Sequence, residues 1–394
     1  MIQSPTLGQV LRGVIDRCIG STLRLAPHQW KTVRALALCR TSALGGQLFA
    51  CRACGREHFV AHSCRNRHCP QCQGARAVDW LAQQEEALLP IPYFHLVFTV
   101  PHVLNGLMRQ NRRALYGLLL RAASQTLLEF GRGRLQAQVG VTAVLHTWSQ
   151  TLLDHYHLHC IVTGGGVALN GCRWVASPAH YLFPVQALSR MYRGKFLAGL
   201  KALFDAGKLE FHGELAALVK RKKFMALVGQ AAAPAWVVYA KRPFAGPRQV
   251  LAYLSRYTHR VAISNRRLLC ADEQNVTFTY KDYADGARPK TMTLGLIEFV
   301  RRFCLHVLPE RFVKIRHYGL LGNRQRQQRL ARARLLLGAE PPPTPEAEQW
   351  QTALENTAAL APAYCPFCGK PALVLVCKVA PARTLFGVAV LDSS

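Results

Sequence analysis

The stretch HTWSQTLLDHYHLHCIV, His146 to Val162, constrains the fold more than any other part of this chain. His155, His157 and His159 alternate with Tyr156, Leu158 and Cys160. Period two is the period of a β-strand, and it puts the three imidazoles on one face. Neighbours on that face lie about 6.6 Å apart, close enough for two imidazoles to lean onto one ion. His155 and His159 are twice as far apart, so a third ligand should come from another strand. VTAVLHTW (141–148) reads as that strand and HLHCIVT (157–163) as its partner, with the GGG at 164–166 ending the second strand. A loop centred between residues 151 and 152 sets His146 opposite His157, with Cβ atoms about 5 Å apart. A loop two residues longer or shorter on one side pairs His146 with His159 or His155 instead, on the same face. The expected metal site is therefore His146, His157 and His159, with His155 flanking or competing. Three ligands leave positions open on a metal.

What fills the open positions follows from charge. Lys and Arg number 50 against 21 Asp and Glu, a net charge of +29. Such a field attracts polyanions, nucleic acid first and an anionic membrane surface second. A phosphate oxygen is the natural occupant, and a cation at the histidines would stabilise charge building in an in-line displacement. No apolar run is long enough to span a bilayer. The N-terminus lacks the layout of a secretion signal. The expected location is cytoplasmic.

In a reducing compartment the 14 cysteines read as zinc ligands rather than cross-links. Cys51-x-x-Cys54 and Cys69-x-x-Cys72 are two knuckles, and these four cysteines are the expected structural zinc site. Cys64, His58, His62 and His68 could substitute for one of them. Arg52, Arg56, Arg65 and Arg67 suggest that the module touches DNA, with a purely structural zinc as the alternative. Cys365-x-x-Cys368-Gly is half a ribbon followed only by Cys377, so it either borrows a ligand from elsewhere or is a remnant.

Phosphate chemistry needs an attacker. AYLSRYTHR carries Tyr253 and Tyr257 at i,i+4, on one face of the helix read over 246–260. Tyrosines packing that helix on a sheet are the alternative. A hydroxyl attacking a phosphodiester keeps the bond energy in a phosphotyrosine, so rejoining needs no nucleotide triphosphate. Consistent with this, the chain has no G-x-x-x-x-G-K-[ST] loop. Arg256, Arg260, Arg266 and Arg267 surround the pair and are candidates to hold phosphates.

Around these motifs the patterns alternate: strand 93–100, helix 103–130, the histidine hairpin, helix 185–206, strand 235–241, the tyrosine helix, strands at VAISN and VTFTYKDY, and a helix at LGLIEFVRRFCLHVLP. This order predicts an α+β chain with a ferredoxin-like antiparallel core. Residues 1–90 form the helical and zinc-binding part and 91–322 the core. Residues 323–394 hold a basic helix, a Pro-rich linker and the CPFCG tail.

HLHCIV after LHTWSQTLLDHY, with YLSRYTHRVAISNRRL downstream, resembles the two-tyrosine HUH rolling-circle transposases of the IS-ninety-one insertion-sequence family. CRACG…SCRNRHCPQC resembles that family's zinc-binding domain, and PYFHLVFTVP its first core strand; the likeness runs over most of 45–325. The chain departs at Tyr156, where the family motif often has proline. The resemblance implies transposition by nicking and joining single-stranded DNA, with Tyr253 and Tyr257 as nucleophiles. It places His157 and His159 in the HUH pair, with His146 as third ligand, and Mg²⁺ or Mn²⁺ as the ion. Three imidazoles by themselves favour zinc, nickel or copper, so availability and the phosphate ligand must tip the choice. A plasmid replication initiator or relaxase would share this chemistry. A non-catalytic zinc-dependent DNA-binding protein is the reading from another class; it would hold tight zinc and need no added ion.

Overall fold

The computed structural model describes residues 4–17, 23–74, 88–178, 180, 182–241, 261–339 and 364–382. In chain order the elements begin with α1 (Leu7–Arg17), α2 (Pro27–Ala37), β1 (Gly46–Cys51), β2 (Glu57–Ala61) and β3 (Tyr93–Thr99). Next come α3 (Asn105–Gln110), α4 (Arg112–Leu135), β4 (Ala137–Trp148), β5 (Asp154–Ala168) and β6 (Trp174–Ala176). They are followed by α5 (Val185–Asp205), α6 (Arg221–Ala232), β7 (Val238–Lys241), β8 (Leu268–Ala271) and β9 (Asn275–Asp282). The last are β10 (Arg288–Gly295), α7 (Leu296–Leu305), β11 (Ile315–Gly319), α8 (Arg326–Leu336) and β12 (Leu373–Val379).

The mixed α+β chain builds antiparallel sheets. The central sheet runs β11-β4-β5-β3-β7, with β6 also on β5. Alternation along its strands separates two faces. Phe94, Leu96 and Phe98 of β3, Val141, Ala143 and Leu145 of β4, and Tyr156, Leu158 and Cys160 of β5 point into the main core. There they meet Leu119 and Leu127 of α4 and Tyr192 and Phe196 of α5. The opposite face carries the histidines.

A second sheet, β10-β9-β8, packs Val276 and Phe278 against α7 and also against α1 and α2. The N-terminal helices are tied in by polar bonds as well: Gln29 Nε2 donates to the Cys304 carbonyl at 2.7 Å, and Leu7 N–H to Asn265 Oδ1 at 3.0 Å. The third sheet, β12-β1-β2, joins the two ends of the chain. Packing and pairing thus cross the divisions at 90 and 322 that the composition suggests.

Three expected elements come out differently. GGG does not end β5, which runs on to Ala168. A Cβ on Gly164 would stand 2.7 Å from the Pro92 carbonyl oxygen, and one on Gly166 2.3 Å from that of Gln138. The glycines let neighbouring backbones close in, which a strand signal alone does not reveal. The helix expected at 103–130 divides at Asn111, whose side chain donates to the Glu210 carbonyl and accepts from its N–H. VAISN is no strand: Val261, Ala262 and Ile263 all sink into buried positions ahead of a 3-10 turn at Asn265–Arg267.

The loop between β4 and β5 is held from below. Leu152 is fully buried in the second core although its φ is 62°, a left-handed conformation unfavourable for a branched side chain. Its carbonyl is bonded to His306 Nε2 at 3.0 Å. Leu152→Ala is expected to cost about 2–5 kcal/mol, read by urea denaturation, because a buried side chain is replaced by a cavity. A change under about 0.5 kcal/mol would show that the loop needs no such anchor.

Candidate metal centre and two thiol clusters

The anchored loop fixes the register of the hairpin, and His146 stands opposite His157. One ligand nitrogen from each of His146, His157 and His159 lies within 4.8 Å of the others. The imidazole centroids are 5.4 Å apart for His146–His157, 4.5 Å for His146–His159 and 5.0 Å for His157–His159. His146 is buried and stacks on Trp148 at 4.5 Å. His155 lies outside the triad, between His157 and His102.

Hydrogen bonds bear on which nitrogen faces the cleft. His157 Nδ1 is 2.9 Å from the His155 carbonyl. A carbonyl only accepts, so Nδ1 carries the proton and Nε2 keeps its lone pair. His159 Nδ1 is 2.9 Å from Nε2 of His95, which is 1 % exposed. Burial, helped by the Lys241 charge, holds His95 down to about 3, so it stays neutral and can accept the Nδ1 proton. His159 then also offers Nε2. Fixing a ligand's tautomer through its other nitrogen is how metal-binding histidines are oriented. The three histidines fit a divalent ion by donor type and spacing.

The triad floors a cleft of about 860 Å³ lined also by His102, Asn105, Arg109, Trp148, Asp154 and Tyr283. Asp154 is engaged by Arg109 at 3.0 Å and by the Tyr156 hydroxyl at 2.9 Å. Tyr156, the departure from a motif that often has proline, is fully buried and orients this carboxylate.

Among the described residues the cysteines make two clusters rather than one. Cys69 and Cys72 join Cys39 and Cys64, while Cys51 and Cys54 join Cys365 and Cys368. The expected set of Cys51, Cys54, Cys69 and Cys72 is therefore corrected. The reason is the β1–β2 hairpin. Cys39 precedes it and Cys64 follows it, so both sit at its open end, where Arg40 N–H bonds the His62 carbonyl. Cys51 and Cys54 sit at its tip, about 17 Å away for strands of this length. His68 is not a ligand either; its Nε2 accepts from Leu308 N–H at 3.3 Å.

In the first cluster the sulfurs are 3.6 Å apart for Cys39–Cys72 and Cys39–Cys69, and 3.7 Å for Cys64–Cys72. Four thiolates about 2.3 Å from a tetrahedral zinc lie about 3.8 Å from one another. A disulfide would bring two sulfurs to about 2 Å. Hydrogen bonding among the four sulfurs, with Cys39 first, holds the Cys72 thiol well below the ordinary range. By donor type and spacing the cluster suits a tetrahedral cation.

Known proteins are similar to this chain in sequence. A family model described as "Putative transposase" matches residues 140–329, and one described as "Transposase zinc-binding domain" matches residues 11–100. "Putative transposase y4qJ" of Sinorhizobium fredii is 44% identical over 377 residues, covering 94% of this chain and 95% of that protein. This chain belongs to the IS91 (IS-ninety-one) family of transposases. "Transposase for insertion sequence element IS801" of Pseudomonas savastanoi pv. phaseolicola is 30% identical over 324 residues, 80% of this chain and 76% of that one. No solved structure matches the chain. The zinc-binding match and the four-thiol geometry together support structural zinc in the transposase.

Tyr253, Tyr257, Arg256 and Arg260 of the transposase lie outside the described residues. Arg266 is exposed. Arg267 turns inward: it donates to the carbonyls of Thr279 and Gln150 and lies over the Phe278 ring, 5.5 Å from its centre. It braces the loop under the histidines instead of reaching for phosphate. Arg67 likewise donates to the Pro309 carbonyl at 2.6 Å. Two residues escaped the sequence reading. Cys39 ends an apolar helical run, and His95 stands inside an apolar strand; neither has a spaced partner nearby. No described helix of the transposase is long and apolar enough to cross a membrane.

Proposed function

We propose that this transposase acts by rolling-circle transposition, nicking and joining single-stranded DNA through a 5′-phosphotyrosine at the histidine cleft of an HUH-type core. The observation that carries the reading is the convergence of His146, His157 and His159 on the floor of an open cleft. A divalent ion held there, Mg²⁺ or Mn²⁺, would polarise the scissile phosphate and offset its growing charge. The His155 carbonyl leaves the His157 Nε2 lone pair for the ion, and His95 as acceptor would do the same for His159. Arg109, half-exposed at the wall, adds positive charge where a backbone would lie.

The hydroxyl of Tyr253 or Tyr257 attacks phosphorus. A tyrosine O–P bond forms, the bond to the 3′ oxygen breaks, and that oxygen leaves with a proton as a 3′-hydroxyl. The 5′-phosphate stays on the tyrosine until another 3′-hydroxyl attacks it and returns the phenol. Two tyrosines allow two strands to be held in succession.

The test uses single-stranded oligonucleotides tiling both ends of the element, incubated with Mn²⁺ or Mg²⁺ and run on a denaturing gel. A covalent protein–DNA band is expected, dependent on metal and absent from the double Tyr253→Phe, Tyr257→Phe protein. Tyr283→Phe belongs beside it, because Tyr283 is a hydroxyl lining the same cleft. Loss of the band only in Tyr283→Phe would move the nucleophile there. No band on any tile, from folded protein that binds the DNA, would sink the reading.

A further inference from the structure

The pattern Cys-x-x-Cys-Gly-basic occurs twice, at Cys51–Arg56 and at Cys365–Lys370. The two copies fold alike. The glycine N–H donates to the first cysteine's carbonyl, at 2.8 Å for Gly55 and 2.9 Å for Gly369. The first cysteine's N–H donates to the carbonyl of the basic residue, at 3.0 Å for Arg56 and 2.8 Å for Lys370. Both glycines adopt left-handed backbone, φ 70° and 71°, which favours glycine at these positions. The copies face each other, with Cys51 Sγ 3.7 Å from Cys368 Sγ and Cys54 Sγ 3.8 Å from Cys365 Sγ.

We infer that Cys51, Cys54, Cys365 and Cys368 hold a second structural zinc, and that this ion fastens the C-terminal segment to the N-terminal module. The inference stands apart from the chemistry at the histidines.

Three observations support it. The sulfur separations are those of a tetrahedral four-thiolate site. Cys51 and Cys365 are each 1 % exposed, although Arg52, Ala53, Pro366 and Phe367 beside them are exposed, so the first cysteine of each copy turns inward while Cys54 and Cys368 lie at the surface. Finally, among the described residues sheet β12-β1-β2 has no apolar core to hold its third strand. No β12 residue belongs to a described core cluster, and Val374, Leu375 and Val376 are exposed. A small three-stranded sheet of that kind needs a staple, and a metal is one. Cys365-x-x-Cys368, half a site by itself, is completed by the opposite end of the chain.

The competing chemistry is a pair of disulfides, Cys51–Cys368 and Cys54–Cys365. Zinc per chain, measured by plasma mass spectrometry on purified full-length protein, separates the two. Cys365→Ser with Cys368→Ser should lose one zinc relative to the parent, and Cys51→Ser with Cys54→Ser should lose the same one. Cys377→Ser, on β12 but outside the cluster, should lose none. Hydrogen exchange over Leu373–Val379 should speed by about tenfold or more in both double variants, a readout independent of metal counting. Unchanged zinc in the Cys365, Cys368 variant overturns the inference. So does protection from alkylation, in the denatured and unreduced parent, of these four thiols as two disulfides.

Discussion

His159→Ala is expected to lower metal-dependent nicking by more than about a hundredfold, beyond the range that losing an outer partner of a metal ligand costs. It removes one of the three donors that converge there, and His155 lies outside the triad, between His157 and His102. The sharper version is His95→Ala. His95 lies behind His159, with its ring stacked 5.2 Å away. Without it the Nδ1 proton of His159 loses this buried acceptor, and the ring is held less firmly with its lone pair toward the cleft. The midpoint for Mn²⁺ should rise about 10- to 100-fold, with little change in rate at saturating ion. His95→Gln offers an amide oxygen in place of the ring nitrogen and should recover part of the loss. A metal titration of the cutting assay separates midpoint from maximal rate. Equal midpoints for His95→Ala and the parent would reduce His95 to ordinary core packing.

The second large effect is on stability. Cys39→Ser should destabilise the protein by at least about 3 kcal/mol, because structural zinc contributes its binding free energy, about 10–16 kcal/mol in small zinc modules, to folding. The loss should spread. Cys39, Cys69 and Cys72 belong to the same core as Val33 of α2 and Phe303 of α7, so weakening the cluster loosens the packing of both chain regions. Cys172→Ser is the matched control, since Cys172 is exposed and outside both clusters; it should stay within about 0.5 kcal/mol. Thermal unfolding with zinc present compares them. Matching midpoints for Cys39→Ser and Cys172→Ser would mean that the first cluster holds no metal that matters to folding.

Much of the histidine site was legible because its information is local. Strand period, loop length and one face of a hairpin are set by a few consecutive residues, and they put His146 across from His157. The anchor of that loop was not legible, because Leu152 looks like any apolar loop residue until α7 covers it. Neither was Arg267. Its place in a basic stretch suggested phosphate, yet the carbonyls of Thr279 and Gln150 claim it.

The cysteines mark the boundary most clearly. Their spacing by itself determined that thiols come in knuckles suited to zinc, since two residues between cysteines suffice to aim two sulfurs at one ion. Which knuckles share an ion is a question of long-range geometry, and spacing cannot answer it. The tertiary structure decided it through one short hairpin. By separating its base from its tip, the β1–β2 hairpin sends Cys64 back to Cys39 and leaves Cys51 and Cys54 facing a partner from the far end of the chain.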